Sequence, residues 1–250
     1  MKHPCRTLFA MSAFAASALA APDALPVPRT DTFEAPDGHP VVFTCIKHGS
    51  LRIQYDGLEI QVDPVGQSLP PATDYSRFPK ADLVLVTHEH FDHFDRDAIA
   101  ALRKDTTEIV MNPAVRALFG EGRALANGDR FDWRPSATVE AVPAYNTSPD
   151  RLKFHPKGRD NGYVLTLGGL RIYVAGDTED IPEMASLAPI DIAFLPCNLP
   201  YTMSPEQTAA AARAINPKVL FPYHYGNTPV RRVADLLSDT PIDVRIRDYQ

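Results

Sequence analysis

His88-Glu89-His90-Phe91-Asp92-His93 follows, after Thr87, on the apolar run Ala81-Asp82-Leu83-Val84-Leu85-Val86. The chain holds 8 histidines and places three of them in these six positions, a concentration that core packing does not explain. Side chains alternate along a strand with a period of two, so a strand entering this segment delivers His88 and His90 to one side. Asp92 and His93 then turn off the strand end and can face a second ion nearby. Neutral imidazole and carboxylate together suit a borderline divalent cation such as Zn2+. The plain alternative is a solvated polar loop.

Two further candidates close apolar β-runs. Leu170-Arg171-Ile172-Tyr173-Val174-Ala175 runs into Gly176-Asp177-Thr178, and Val219-Leu220-Phe221 runs into Pro222-Tyr223-His224-Tyr225-Gly226. Alone, Asp177 reads equally as a turn aspartate, and His224 as a core histidine between two tyrosines. Taken with the cluster, both become candidate ligands at one edge of the sheets.

Residues 21–40 carry Pro22, Pro26, Pro28, Pro36 and Pro40 and read as an irregular lead-in to a single domain over 41–250. Val41–Ile46, Leu51–Tyr55 and Leu58–Asp63 alternate as strands do, with Asp56-Gly57 marking a hairpin between the last two. A second hairpin surrounds Gly168-Gly169. Gly57-Leu58-Glu59-Ile60-Gln61-Val62 and Gly169-Leu170-Arg171-Ile172-Tyr173-Val174 both read Gly-Leu-x-Ile-x-Val and both close on an aspartate, which suggests two related halves. Helices are expected over Asp97–Lys104, after Pro113, and over Pro205–Ile215, where Ser204, Pro205 and Gln207 supply a capping box and a proline at the first helical position. Hairpins followed by alternating strands and helices predict an α/β fold with sheets packed together and helices outside.

At the N-terminus, Lys2 and Arg6 precede the apolar run Leu8–Leu19, and Ala18-Leu19-Ala20 fits a small-residue cleavage site, so residues 1–20 read as a signal peptide. The run is shorter than the ~20 residues that span a bilayer, and Pro22 follows at once. The expectation is an exported protein, periplasmic in a Gram-negative source, with no membrane anchor after cleavage. Losing those two cations takes the formal charge from −6 to −8. That balance argues against a broad nucleic-acid surface and leaves a small-molecule substrate as the expected partner. Cys45 and Cys197 each sit in an apolar strand-like run and are expected to be buried, unpaired thiols.

The ordered set His-x-His-x-Asp-His (88–93), Gly-Asp-Thr (176–178) and Tyr-His-Tyr-Gly (223–226) resembles the metallo-β-lactamase-fold hydrolase superfamily. Lys47-His48-Gly49-Ser50, Val62-Asp63-Pro64 and Phe154-His155-Pro156-Lys157-Gly158 bring the chain nearest to the small metal-dependent hydrolases related to the ascorbate-6-phosphate lactonase group. The resemblance implies an αββα four-layer sandwich with a two-metal site at the sheet edge. His88 and His90 would bind the first metal, Asp92, His93 and His224 the second, and Asp177 would bridge both. Asp63 would orient a ligand imidazole from behind. The cofactor implied is Zn2+, one or two ions per chain, with Mn2+ or Fe2+ as alternatives.

One departure stands out. The superfamily usually supplies another histidine to the first metal after a strand that here reads Val139-Glu140-Ala141-Val142-Pro143, yet the place is held by Ala144-Tyr145-Asn146. His155 and His48 are the spare candidates for the missing ligand, with water as the remaining alternative. Tyr145 and Asn146 are candidates for substrate contact or for plain packing. Two cations about 3.5–4 Å apart share a water and lower its pKa toward neutrality, with Asp92 placed to orient the nucleophile. The expected activity is hydrolysis of an ester, lactone or phosphodiester. A non-catalytic metal-binding protein of the same fold and a β-lactam hydrolase are the competing readings.

Overall fold

Asp56 and Gly57 adopt left-handed conformations (φ 45° and 74°) and close a two-residue turn that sets Tyr55 opposite Leu58. Gly168 and Gly169 do the same between Leu167 and Leu170. These two hairpins lie at equivalent places in two sheets. The computed structural model describes Met1 and residues 29–249; of the expected signal peptide, residues 2–20 lie outside them.

The first sheet is built from β1 (Thr30–Glu34), β2 (Pro40–Lys47), β3 (Ser50–Tyr55), β4 (Leu58–Val62), β5 (Leu83–Val86), β6 (Glu108–Met111) and β7 (Arg123–Ala124), in that spatial order. The second holds β8 (Arg130–Arg134), β9 (Ala137–Ala144), β10 (Asp160–Leu167), β11 (Leu170–Val174), β12 (Ile192–Pro196), β13 (Val219–Tyr223) and β14 (Asp243–Val244), again in chain order. In both sheets the first four strands pair antiparallel and the last four parallel. The two Gly-Leu-x-Ile-x-Val segments are β4 and β11, the fourth strand of each sheet, so the short sequence match marks a repeat of topology.

Among the described residues four α-helices cover the outer faces: α1 (Arg96–Leu102), α2 (Pro113–Phe119), α3 (Pro205–Ile215) and α4 (Arg231–Leu236). Strands covered on both sides bury residues of both parities. In β5, Leu83 and Leu85 join the core between the sheets, while Val84 and Val86 pack with Ile99, Leu102 and Val115 of α1 and α2. In β12, Ile192 and Phe194 point inward, and Ala193 and Leu195 pack with Ala212 and Ile215 of α3. The result is the expected αββα four-layer sandwich. The α3 start is as expected: the Ser204 side chain accepts from Gln207 N, and the Gln207 side chain accepts from Ser204 N.

Of the expected irregular lead-in over 21–40, residues 21–28 lie outside the described residues, and part of the rest is a strand. Thr30–Glu34 is an edge strand paired with Pro40–Thr44. Its alternation is masked by prolines that fall outside it, and Phe33 packs against the core while Asp31 is gripped by Arg245 and Arg247 from the C-terminal segment. Cys45 and Cys197 are buried free thiols, pushed up to about 12 and about 11 by their burial. Among the described residues no helix is long and apolar enough to cross a membrane.

Candidate metal centre

The strand β5 stops at Val86, one residue before Thr87, so His88, His90, Asp92 and His93 ride the loop beyond it rather than the strand itself. Asp177 leaves β11, His224 leaves β13, and His155 precedes β10, all at the same edge of the two sheets. Of the chain's 8 histidines, six meet here. They form two groups of four whose ligand atoms lie within 4.8 Å of one another: His88, His90, His155 and Asp177, and His48, Asp92, His93 and His224.

Asp177 joins the groups. Its Oδ2 faces His155 Nε2 at 3.3 Å and His88 Nε2 at 3.8 Å, and its Oδ1 faces His93 Nε2 at 3.4 Å and His224 Nε2 at 3.5 Å. His155 thus occupies the position the sequence left empty at 144–146. His48 completes the other group, with its Nε2 3.0 Å from Asp92 Oδ2, where it can also donate to that carboxylate. Burial alone would raise Asp92, but the His48 contact and the charge of His93 hold it well below the usual carboxylate range.

Behind the imidazoles stands a set of groups that fix their tautomers. A carboxylate only accepts, so His93 Nδ1–H donates to Asp63 Oδ2 (2.7 Å) and His155 Nδ1–H to Asp160 Oδ2 (3.1 Å). The Thr87 hydroxyl donates to Asp63 Oδ2 (2.7 Å) and takes the hydrogen of His88 Nδ1 (2.9 Å). In all three rings Nε2 is left to face inward. Such partners orient ligands and raise their basicity. Asp63 was expected behind a ligand imidazole and hydrogen-bonds His93, whereas Asp160 and Thr87 were not anticipated. Asp160 carries no motif and sits at the start of an ordinary strand, so only spatial proximity reveals it.

The donor set fits divalent cations on an observation independent of any relative. His93 Nε2, His224 Nε2 and Asp177 Oδ1 are buried polar atoms without a hydrogen-bond partner, and the carboxylate oxygen lies 3.4 and 3.5 Å from the two nitrogens. Leaving buried polar groups unpaired costs about 1–3 kcal/mol each, which a shared cation would offset. Backbone strain is concentrated at the same place: His48, Asp63 and His224 are non-glycine residues with φ of 50°, 43° and 48°.

Tyr145 and Asn146 are engaged elsewhere. The Tyr145 hydroxyl donates to Glu183 Oε2 (2.9 Å) and accepts from Lys157 Nζ (3.1 Å), while Asn146 Nδ2 donates to the Tyr201 and Arg151 carbonyls. Both fasten the loops around the centre, and neither lines its cavity, whose walls are His90, Phe91, Asp92, Phe154, His155, Asp177, Tyr201 and His224.

Four layers with a His/Asp centre at the sheet edge define a metallo-β-lactamase-type protein. The model of the β-lactamase superfamily domain matches residues 43–224, and the chain belongs to that superfamily. A UPF0173 metal-dependent hydrolase of Thermococcus kodakarensis is 32% identical over 179 residues, covering 68% of this chain and 79% of the relative. The crystal structure of a Parabacteroides distasonis protein described as a metal-dependent hydrolase is similar at 53% identity with a TM-score of 0.85, covering 88% of this chain and 99% of that one. Igni18, a metallo hydrolase of Ignicoccus hospitalis, follows at 27% identity and a TM-score of 0.69, with 83% and 95% covered.

Proposed function

We propose that this protein is an exported two-metal hydrolase that cleaves an ester, lactone or phosphodiester of a small molecule. The observation that carries the reading is Asp177, whose two carboxylate oxygens face two different sets of imidazoles. The first ion would be held by His88, His90, His155 and Asp177. The second would be held by Asp92, His93, His224 and Asp177, with His48 as a further donor or as the partner of Asp92. Nitrogen and carboxylate donors of this kind suit Zn2+, with Mn2+ and Fe2+ as alternatives.

When bound, the cations supply Lewis acidity and lower the pKa of water toward neutrality. The chain's own residues position the chemistry. Asp63, Thr87 and Asp160 hold three ligand rings in one tautomer, and Asp92, steadied by His48, orients the attacking water toward the cavity. Phe91, Phe154 and Tyr201 wall that cavity above the ligands. His155 stands beside His88 and His90, which supports a complete donor set for the first ion.

The test is hydrolysis by the mature protein across ester, lactone, phosphodiester, thioester and β-lactam substrates, before and after chelation and metal return. Turnover of one class that chelator abolishes and metal restores is expected. Silence across the panel with metal bound would move the reading to a non-catalytic metal protein. Export is tested separately: N-terminal sequencing of the mature protein should begin at Ala21, and an intact Met1 would contradict it.

A further inference from the structure

Resting on the hydrolase reading, we infer that the substrate is an uncharged carboxylic ester or lactone whose group beside the scissile bond is apolar, an aryl ring or alkyl chain. The cavity over the metal centre has a volume of ≈ 350 Å³, within the range of small-molecule pockets. Five of its eight lining residues are candidate ligands, and the other three, Phe91, Phe154 and Tyr201, are all aromatic. Phe154 and Tyr201 meet edge to face at 5.1 Å and 72°, forming one wall.

The apolar character continues outward. Among the described residues after Met1, the exposed large apolar side chains are Phe91, Leu118, Leu152, Leu199 and Tyr201. All except Leu118 ride the three loops that carry the aromatic lining. Phe91 and Tyr201 are both exposed and both line the cavity, and exposed apolar side chains gathered at a cavity mark a binding surface. These rings are also poorly placed for packing: Phe91 is 64% exposed although it lies between two candidate ligands.

Charge points the same way. Among the described residues no Lys or Arg lines the cavity. Arg151 is paired with Glu179, Arg159 with Asp160 and Glu89, and Lys157 with Glu183 and the Tyr145 hydroxyl. Lys153 Nζ lies 5.0 Å from the Phe154 ring centroid and is outside the lining. An anionic group beside the reacting bond would therefore be desolvated against rings with no protein cation to receive it. Phosphoryl substrates ordinarily meet Arg or Lys clamps in addition to metals, and here such a clamp is missing from the lining.

The experiment compares phenyl acetate with 4-acetoxybenzoate, which differ only in one ring carboxylate, and with bis(4-nitrophenyl) phosphate, all on the zinc-loaded protein. A preference of about tenfold or more in kcat/KM for phenyl acetate is expected. Phe91→Ala and Tyr201→Ala should each cost about 3- to 10-fold, mainly in KM, and Tyr201→Phe should restore the rate. Both side chains are exposed, so these variants spare the core. In parallel, ligand-observed NMR should show benzamide binding the zinc-loaded protein more tightly than 4-carbamoylbenzoate, with the difference lost in Tyr201→Ala. Metal-dependent turnover that favours the charged ester or the phosphodiester, or that ignores the aromatic variants, overturns the inference while leaving the hydrolase reading intact. If none of these three is turned over, the wider substrate panel decides the hydrolase reading, and the NMR comparison alone decides whether the cavity selects apolar, uncharged groups.

Discussion

Replacing Asp63 by Asn should weaken both metal sites at once, although Asp63 belongs to neither group of candidate ligands. Oδ1 accepts from Thr87 N (2.8 Å), and Oδ2 accepts from the Thr87 hydroxyl (2.7 Å) and His93 Nδ1 (2.7 Å). All three partners point hydrogens at the carboxylate. An amide set in either orientation brings NH2 against at least one of those donors, and the site is fully buried. One ring affected is His93, in the second group. The other is His88 in the first group, because the Thr87 hydroxyl that Asp63 orients is the acceptor of His88 Nδ1–H. Loss of such a supporting contact typically costs 10–100-fold in metal affinity, or about 1.4–2.7 kcal/mol per site. The assay is competition against a chromophoric chelator, with thermal melts of the chelated protein alongside. Unchanged affinity in Asp63→Asn would refute the reasoning. A loss confined to one ion would refute the Thr87 relay while sparing the direct bond to His93.

Further outcomes follow from the same geometry. His155→Ala should lower the metal content from two ions per chain to one, read by elemental analysis, because His155 fills the place that 144–146 leave open; an unchanged content would return that role to water. Gly49→Ala should displace a ligand, since a Cβ there lies 2.7 Å from His93 Cε1; overpacking of this kind costs about 1–3 kcal/mol, and a lowered Tm with weakened metal binding is expected. Metal loading of the chelated protein should release protons. Burial disfavours the charged forms of His93 and His155, but Asp177 and Asp63 around the one, and Asp160 and Asp177 around the other, override it and push them up to about 10 and about 9. Both therefore hold an extra proton at pH 7.5, and titration calorimetry in buffers of different ionisation enthalpy should report release of about two protons per chain from these rings, with any further release coming from metal-bound water; no release would contradict it. Because both folded values are raised, the stability they lend the chelated protein is complete below the ordinary histidine value, about 6.5, and is lost as pH rises through 9 to 10.

How much of this was legible depends on how local each signal is. The 88–93 cluster, Asp177 and His224 could be read because several chemistry-bearing residues stand close in sequence or close an apolar run. The two hairpins were legible because Asp56-Gly57 and Gly168-Gly169 are the residues that left-handed turns demand. Edge strand β1 was not, because its short alternation is flanked by prolines and its partners, Arg245 and Arg247, come from the far end of the chain. His155 was legible only as a spare histidine; its place beside His88 and His90 depends on the 146–159 loop, which Glu179 pins through Thr147, Ser148 and Arg151. Asp160 and Thr87 act through other residues and leave no spacing to find. The Gly-Leu-x-Ile-x-Val match is six residues long, and only the identical strand order of the two sheets gives it weight.

The central claim is that two cations sit on either side of Asp177. Anomalous diffraction at the zinc edge from zinc-loaded crystals tests it most directly. Two peaks per chain are expected, one among His88, His90 and His155 and one among Asp92, His93 and His224, with Asp177 contacting both. A single peak, or peaks that leave Asp177 or His155 unbound, would contradict it.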